Sequence, residues 1–423
     1  MENRIEKFSD QWWDSFLKTT ENMSKTSVIK DCLSKEETEN LRNSVLGFIA
    51  DLARERTSLN GGYRVYIEGK QLKRNELVPI WDSPPEENET LEDWVQKTFG
   101  NQKFGMIINE SERYSEKLSQ NIAFKLKPLL KKMGMPTEGI IFTLFIGNYD
   151  STPLGIHTDM PGKNVMHFHL GPGRKTMYNW DTTEYEDLVG EEKYNNQNVE
   201  KYLPHAKKYV FGEGDMYFMP EDIYHVGTQE GLSVAIACWC YNRSNHHFAI
   251  ELQEILSEQY LTQTNENLKP DKNSLDDTSA VEKTLNLFDI PKELENLSFK
   301  DLLRETYKDL RYSLHSNSGY KFNPSKVKDD IIFDLNDTII IEKPFEILYK
   351  NSFNNEKLHV FVRGVKFELN HFNCIKILID EINKGYELKV SELFNLLDKE
   401  WHIDVKQYIL GLLHKHNGIK LLN

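Results

Sequence analysis

Apolar positions in the first 60 residues recur at helical spacing. Trp12, Trp13 and Phe16 share one side of a helix, and Ser34 followed by Glu37 marks the start of a second, each satisfying the other's free backbone donor. Asn60-Gly61-Gly62 predicts a turn, and the alternation over 63–67 predicts a strand. A short helix over 91–99 and a strand over 104–108 follow. Residues 115–133 read as an amphipathic helix with Leu118, Ile122, Leu126, Leu129 and Leu130 on one face, stopped by Gly134. Pro128 is expected to kink it or to detach its last turn. From 140 to 241 the period falls to two, giving strands and turns, with 234–239 as the last apolar strand. Inside this region 181–205 is an acidic, tyrosine-rich excursion with a loop at Asn195-Asn196, read either as a cover for the site or as a solvated loop.

The remainder changes character. Residues 246–260 predict a helix, 262–280 a polar linker, and 292–314 a helix whose stripe of Leu302, Leu303, Tyr307, Leu310 and Leu314 suits packing on the β region or on a second subunit. Alternation over 359–369 around Arg363-Gly364 predicts a strand pair. Asn370, Ser391 and Asp404 then open three helices, the first ending at Gly385 and the last running to His416, and Gly418 turns into a strand over 419–422. Strand, three short helices and strand make a winged-helix-like module. The expected organisation is α+β in three segments, 1–261, 262–328 and 329–423.

Length and charge narrow the partners. The chain has 423 residues, 39% of them hydrophobic, enough for two or three domains with a sizeable core. No apolar run is long enough to span a membrane, the N-terminus lacks a signal-peptide core, and four cysteines make no disulfide framework. A cytoplasmic location is expected. A formal net charge of −14 argues against nucleic acid and fits a basic peptide or protein partner. Cys238 and Cys240 read as buried strand thiols.

The chemistry concentrates between 152 and 225. His157 and Asp159 stand two apart in an extended context, so both project to one side. Downstream, Gly214, Pro220 and His225 follow a G-x5-P-x4-H spacing that delivers a second histidine after a tight turn. Two histidines and one carboxylate with open positions form the facial triad of non-haem Fe(II) oxygenases. His167 and His169 share a strand face. They read as substrate-facing or supporting residues or as ordinary strand histidines, and either one replacing Asp159 would give an all-histidine site.

FIGNYDSTPLGIHTD, GPGRKTMYNW and GDMYFMPEDIYH together resemble the JmjC and cupin-type 2-oxoglutarate-dependent oxygenases over about residues 1–250. The order of that domain, a helical connector and a winged-helix-like module resembles the bacterial ribosomal oxygenases, which hydroxylate a ribosomal protein side chain. The resemblance implies a double-stranded β-helix barrel, Fe(II) held by His157, Asp159 and His225, and 2-oxoglutarate as cosubstrate. It implies Lys175, or alternatively Arg174, pairing the far carboxylate of 2-oxoglutarate, Thr152 hydrogen-bonding it, and Asn164 as a polar residue near the metal. Hydroxylation of a protein or peptide side chain is the implied activity, demethylation staying open, with the helical connector suited to a homodimer. Two alternatives stand beside it: the same chemistry on a free amino acid or natural product, and a non-catalytic cupin that senses a ligand and regulates through its winged-helix module.

Overall fold

The computed structural model describes residues 5–57, 63–190 and 196–422. The turn expected at 60–62 and Asn195 of the expected loop lie outside the described residues. The chain divides into two compact units, Met1–Asn242 with Ser318–Asp329, and Arg243–Asn317 with Asp330–Asn423.

In the first unit, helices α1 (Asp10–Thr19), α2 (Lys35–Arg54), α3 (Val78–Trp81), α4 (Leu91–Phe99) and α5 (Glu116–Met133) form where the apolar spacing predicts most of them. The capping box of α2 is present: Ser34 Oγ accepts from the Glu37 N–H at 3.2 Å, and Glu37 Oε2 accepts from the Ser34 N–H at 2.8 Å. The other oxygen of Glu37 takes the Lys125 ammonium at 2.6 Å, which ties α2 to α5. Ser34→Ala is therefore expected to lower stability by about 1 kcal/mol in chemical denaturation, the usual cost of a lost N-cap. Helix α5 runs through Pro128 to Met133, so its last turn is not detached. The proline deprives the Phe124 carbonyl of its partner, and Phe124 lies on the exposed side, where water can serve instead.

Strands β1 (Ser27–Ile29), β2 (Tyr63–Ile67), β3 (Lys70–Gln71), β4 (Phe104–Asn109), β5 (Ile140–Gly147), β6 (Lys163–Asp181), β7 (Lys207–Phe211), β8 (Met216–Met219) and β9 (Ile223–Tyr241) build one antiparallel sheet. Its order is β1-β8-β6-β9-β5-β4-β2-β3, with β7 also on β6. The segment 234–239 is part of the continuous strand β9 and not a strand of its own. Strands β6 and β9 pair along their whole length because register shifts at His169/Gly171 and Pro172/Arg174 let the pair bend without parting. On β5 the residues Ile140, Phe142, Leu144 and Ile146 are buried on one face, while Thr143 and Phe145 on the other line a cavity.

The described residues of the excursion at 181–205 are structured. It contains α6 (Thr182–Val189) and α7 (Val199–Tyr202), and its Tyr185 and Tyr202 bury against Trp180 and Tyr224. Apolar burial of the tyrosine rings outweighs the acidic composition that makes the segment read as a loop.

The second unit contains α8 (Asn245–Tyr260), α9 (Glu282–Leu285) and α10 (Phe299–Ser316), and the polar stretch from 262 carries no helix or strand before a short turn at Ser279–Val281. Helix α10 starts later than the apolar stripe predicts: Ser298 is its N-cap, accepting from the Asp301 N–H at 3.2 Å, so 292–298 lies outside it. Buried Asp309 of α10 takes ammonium groups from Lys350 at 2.6 Å and Lys366 at 2.8 Å. Strands β10 (Thr338–Ile341), β11 (Leu348–Asn351), β12 (Lys357–Val362), β13 (Val365–Asn370), β14 (Leu388–Lys389) and β15 (Ile419–Leu422) form two small sheets, β14-β10-β15 and β11-β12-β13. They share a core with α11 (Asn373–Asn383), α12 (Val390–Leu396) and α13 (Ile403–Lys415), centred on Leu378, Leu393 and Leu410. The helix starts move from the expected caps: Phe372, Lys389 and His402 are the N-caps, and Asn370 belongs to β13. Among the described residues no helix is long and apolar enough to cross a membrane.

Candidate active site

His157 and Asp159 lie in the connection between β5 and β6, and His225 lies near the start of β9. A backbone bridge joins the histidines directly: the His157 N–H donates to the His225 carbonyl at 3.1 Å, and the reverse bond is 2.8 Å. The neighbouring residue Ile156 bridges Asn196 in the same way, at 2.8 and 2.9 Å. The excursion between the two halves of the motif thus holds the His157 segment in place. The motif's glycine, Gly214, has φ +82°, and a Cβ there would stand 2.5 Å from the Leu33 carbonyl oxygen, so only glycine fits the turn.

The three donor atoms of His157, Asp159 and His225 lie within 4.8 Å of one another. The imidazole rings are 4.4 Å apart, and His225 Nε2 is 3.9 Å from Asp159 Oδ2. Each ring donates its Nδ1 proton to a carbonyl, His157 to Gly155 at 2.9 Å and His225 to Ile223 at 3.0 Å. A carbonyl only accepts, so both protons sit on Nδ1 and both Nε2 lone pairs are free for the site. Burial, reinforced by the neighbouring His225, lowers the His157 pKa and keeps that ring neutral. Asp159 Oδ2 is buried and meets no hydrogen-bond donor, while Oδ1 faces the Lys163 ammonium at 3.6 Å. Two imidazole Nε2 atoms and an unsatisfied carboxylate oxygen suit a divalent first-row metal.

The triad opens into a cavity of about 160 Å³ between the two faces of the curved sheet. Lys175 lines it and is 4% exposed. Its ammonium has no hydrogen bond or ion pair to any described residue and lies 5.2 Å from the centre of the Phe145 ring. Burial alone pushes its pKa down to about 8. Thr152 also lines the cavity, but its hydroxyl donates to the Gly227 carbonyl at 3.0 Å and accepts from the Gly227 N–H at 3.2 Å. It fastens the strand beside Lys175 and has no proton left for a ligand.

Two of the residues singled out in the sequence fall elsewhere. Arg174 is exposed, on the opposite face of β6 from Lys175, paired in register with Glu230. Asn164 accepts the Glu221 N–H at 3.2 Å and does not line the cavity. His167 lines it with an Nε2 that has no partner among the described residues, whereas His169 does not line it and donates its Nε2 proton to the Gly173 carbonyl at 2.8 Å. Neither histidine belongs to the donor cluster, so the all-histidine site is not formed. Burial holds both rings well on the neutral side. Lys163, Arg64 and Tyr217, which no motif marks in the sequence, also line the cavity. Lys163 stands over the Trp239 ring at 4.0 Å, and Tyr217 exchanges hydrogen bonds with Asn179 at 2.7 and 2.9 Å. The four cysteines are free, and Cys238 and Cys240 are buried.

No family model matches the sequence, and neither does any curated protein. The fold is similar to that of Escherichia coli YcfD in its X-ray structure, with 11% identity, a TM-score of 0.51, and coverage of 97% of this chain and 98% of that one. Two further structures of YcfD have TM-scores of 0.49 over the same shares of both chains. One, described as a ribosomal oxygenase, is 13% identical. The other, described as that oxygenase in complex with cobalt and 2-oxoglutarate, is 11% identical. At such identities the likeness speaks for the fold.

Proposed function

We propose that this chain is an Fe(II)- and 2-oxoglutarate-dependent oxygenase that hydroxylates a side chain of a protein or peptide. One observation carries the reading: a set of two histidines and a carboxylate shares a cavity with a buried ammonium that has no counter-charge among the described residues. A buried cation without a partner is costly, and a dianionic cosubstrate relieves that cost. The sheet is read as a double-stranded β-helix and residues 329–423 as a winged-helix-like module, in keeping with the fold likeness.

His157, Asp159 and His225 hold the metal, and Lys175 takes the far carboxylate of 2-oxoglutarate. When bound, iron and 2-oxoglutarate couple two outcomes: 2-oxoglutarate, O2 and R–H become succinate, CO2 and R–OH. The protein's own contribution is placement. The Nδ1–H bonds to Gly155 and Ile223 aim the two Nε2 atoms, and the apolar wall of Phe145, Met177, Met219 and Trp239 limits water. Neutral His167 supplies a hydrogen-bonding nitrogen beside Lys175. The test is to incubate the purified protein with Fe(II), 2-oxoglutarate and oxygen and to follow succinate, with mass spectrometry of added peptides for the gain of one oxygen atom. A protein that binds no iron and consumes no keto acid ends this reading.

Gly227 gives a second check. A Cβ there would lie 2.9 Å from Met177 Sδ, 3.1 Å from Lys175 Cε and 3.1 Å from Thr152 Oγ1. The first two are ends of flexible chains, so Gly227→Ala is expected to fold with a loss of about 1–3 kcal/mol. It should displace Lys175 and raise the 2-oxoglutarate concentration for half-maximal turnover about tenfold, a binding change of ~1.4 kcal/mol. Titration of succinate formation against 2-oxoglutarate measures it.

A further inference from the structure

Arg64 stands on β2 in the row that faces the cavity. It pairs in register with Ile107 of β4, which pairs with Phe145 of β5, and all three line the cavity. Its guanidinium forms no hydrogen bond or ion pair with any described residue, and its Nε is buried without a partner. Arginine stays charged at any physiological pH and carries five donors, so a guanidinium left bare at a cavity wall is a fixed demand for an acceptor. Beside it, Asn109 Oδ1 accepts the Thr143 hydroxyl at 3.1 Å, which leaves the amide N–H groups of Asn109 without a partner on the same wall.

The charges of the cavity can be assigned one by one, resting on the proposed function for the metal and for Lys175. Asp159 matches one of the metal's two charges, and the Lys163 ammonium stands 3.6 Å from its Oδ1. Lys175 is matched by the far carboxylate of 2-oxoglutarate, and the metal's remaining charge by the near one. Lys163 and Arg64 are the cations left over; Lys163 keeps its contacts with Asp159 and the Trp239 ring, whereas Arg64 has neither, and Asp159 is the one acid among the described cavity-lining residues.

We infer that Arg64, with Asn109, is a substrate-binding subsite that receives an anionic group, so that the preferred target is an acidic side chain in a peptide and not a lysine or arginine. This runs against the net charge of −14, which on its own favours a basic partner. The two act over different ranges. Surface charge steers an approaching molecule but is screened beyond about 8 Å at physiological salt. The group that enters the cavity meets Arg64 at contact distance with little water between, where a like charge is rejected and an opposite charge held.

The test uses full-length protein loaded with Mn(II) and 2-oxoglutarate without oxygen, titrated calorimetrically with three blocked nonapeptides identical except for a central Asp, Asn or Arg. Wild type is expected to bind the Asp peptide at least about tenfold tighter than the Arg peptide. Arg64→Gln should erase that preference, and Arg64→Lys should keep most of it, which separates charge from shape. The 2-oxoglutarate affinity of Arg64→Gln, titrated separately, should match that of wild type. Equal binding of the three peptides, binding of none, or tighter binding of the Arg peptide overturns the inference. So does an Arg64→Gln protein that loses 2-oxoglutarate affinity and keeps its peptide preference, because Arg64 would then serve the cosubstrate. Failure of the oxygenase reading shows separately, as wild type that takes up neither metal nor 2-oxoglutarate, and the peptide preference is still read in that case.

Discussion

Asp159→Ala is expected to abolish succinate formation and to weaken iron binding by more than about 100-fold. Loss of a residue that merely supports a ligand costs about 10–100-fold in metal affinity, so loss of the ligand itself costs more. Two further effects add here. Asp159 is the one anionic donor of the cluster, and without it two neutral nitrogens face a divalent ion alone. Its removal also frees the Lys163 ammonium, now 3.6 Å from Asp159 Oδ1, to repel the metal within the cavity. Asp159→Asn keeps the shape and removes the charge, and it should fall between wild type and Asp159→Ala. Metal analysis after equilibrium dialysis gives the affinity, and succinate release from 2-oxoglutarate gives the turnover. Wild-type turnover in Asp159→Ala would remove Asp159 from the site.

Much of this centre was legible because its residues are fixed by local rules. His157 and Asp159 are two apart on an extended backbone, and the Gly214 turn admits no side chain, so both halves of the motif could be read from spacing. What failed was parity. Asn164 was chosen near the metal although the cavity-lining residues of β6 are Lys163, Val165, His167, Lys175 and Met177, one strand face throughout. Lys175 and not Arg174 shares that face, and Lys163 follows from it only when the two register shifts between them are known to cancel. Arg64 was beyond reach for a different reason. Its strand lies three places from β9 in the sheet order, and nothing local announces which cation of a half-buried strand meets a cavity assembled from distant segments. The excursion at 181–205 was hidden by composition, since its acidic residues mask the burial of Tyr185 and Tyr202 and the Asn196 bridge that steadies Ile156.

Lys175→Met is expected to raise the 2-oxoglutarate concentration needed for half-maximal turnover by roughly 30-fold or more while leaving the iron site loaded. Truncating one member of a buried charge pair costs about 2–5 kcal/mol of binding, and each ~1.4 kcal/mol is tenfold. The same substitution should stabilise the protein in the absence of 2-oxoglutarate. Burial lowers the Lys175 pKa from the ordinary lysine value of 10.5 to about 8, so its protonated form disfavours folding by roughly 3 kcal/mol at neutral pH. Between about pH 8 and 10.5 the folded protein has shed that proton while the unfolded chain still binds it, so the lysine's contribution to stability improves as pH rises. The advantage of Lys175→Met should accordingly be full below about pH 8 and vanish by about 10.5. Adding 2-oxoglutarate should stabilise wild type strongly and the variant weakly, because only wild type has a buried charge for the ligand to neutralise. Denaturation curves with and without 2-oxoglutarate at several pH values read all of this. An unchanged 2-oxoglutarate requirement together with an unchanged stability would mean that the Lys175 ammonium reaches water, and the cosubstrate would then need another anchor.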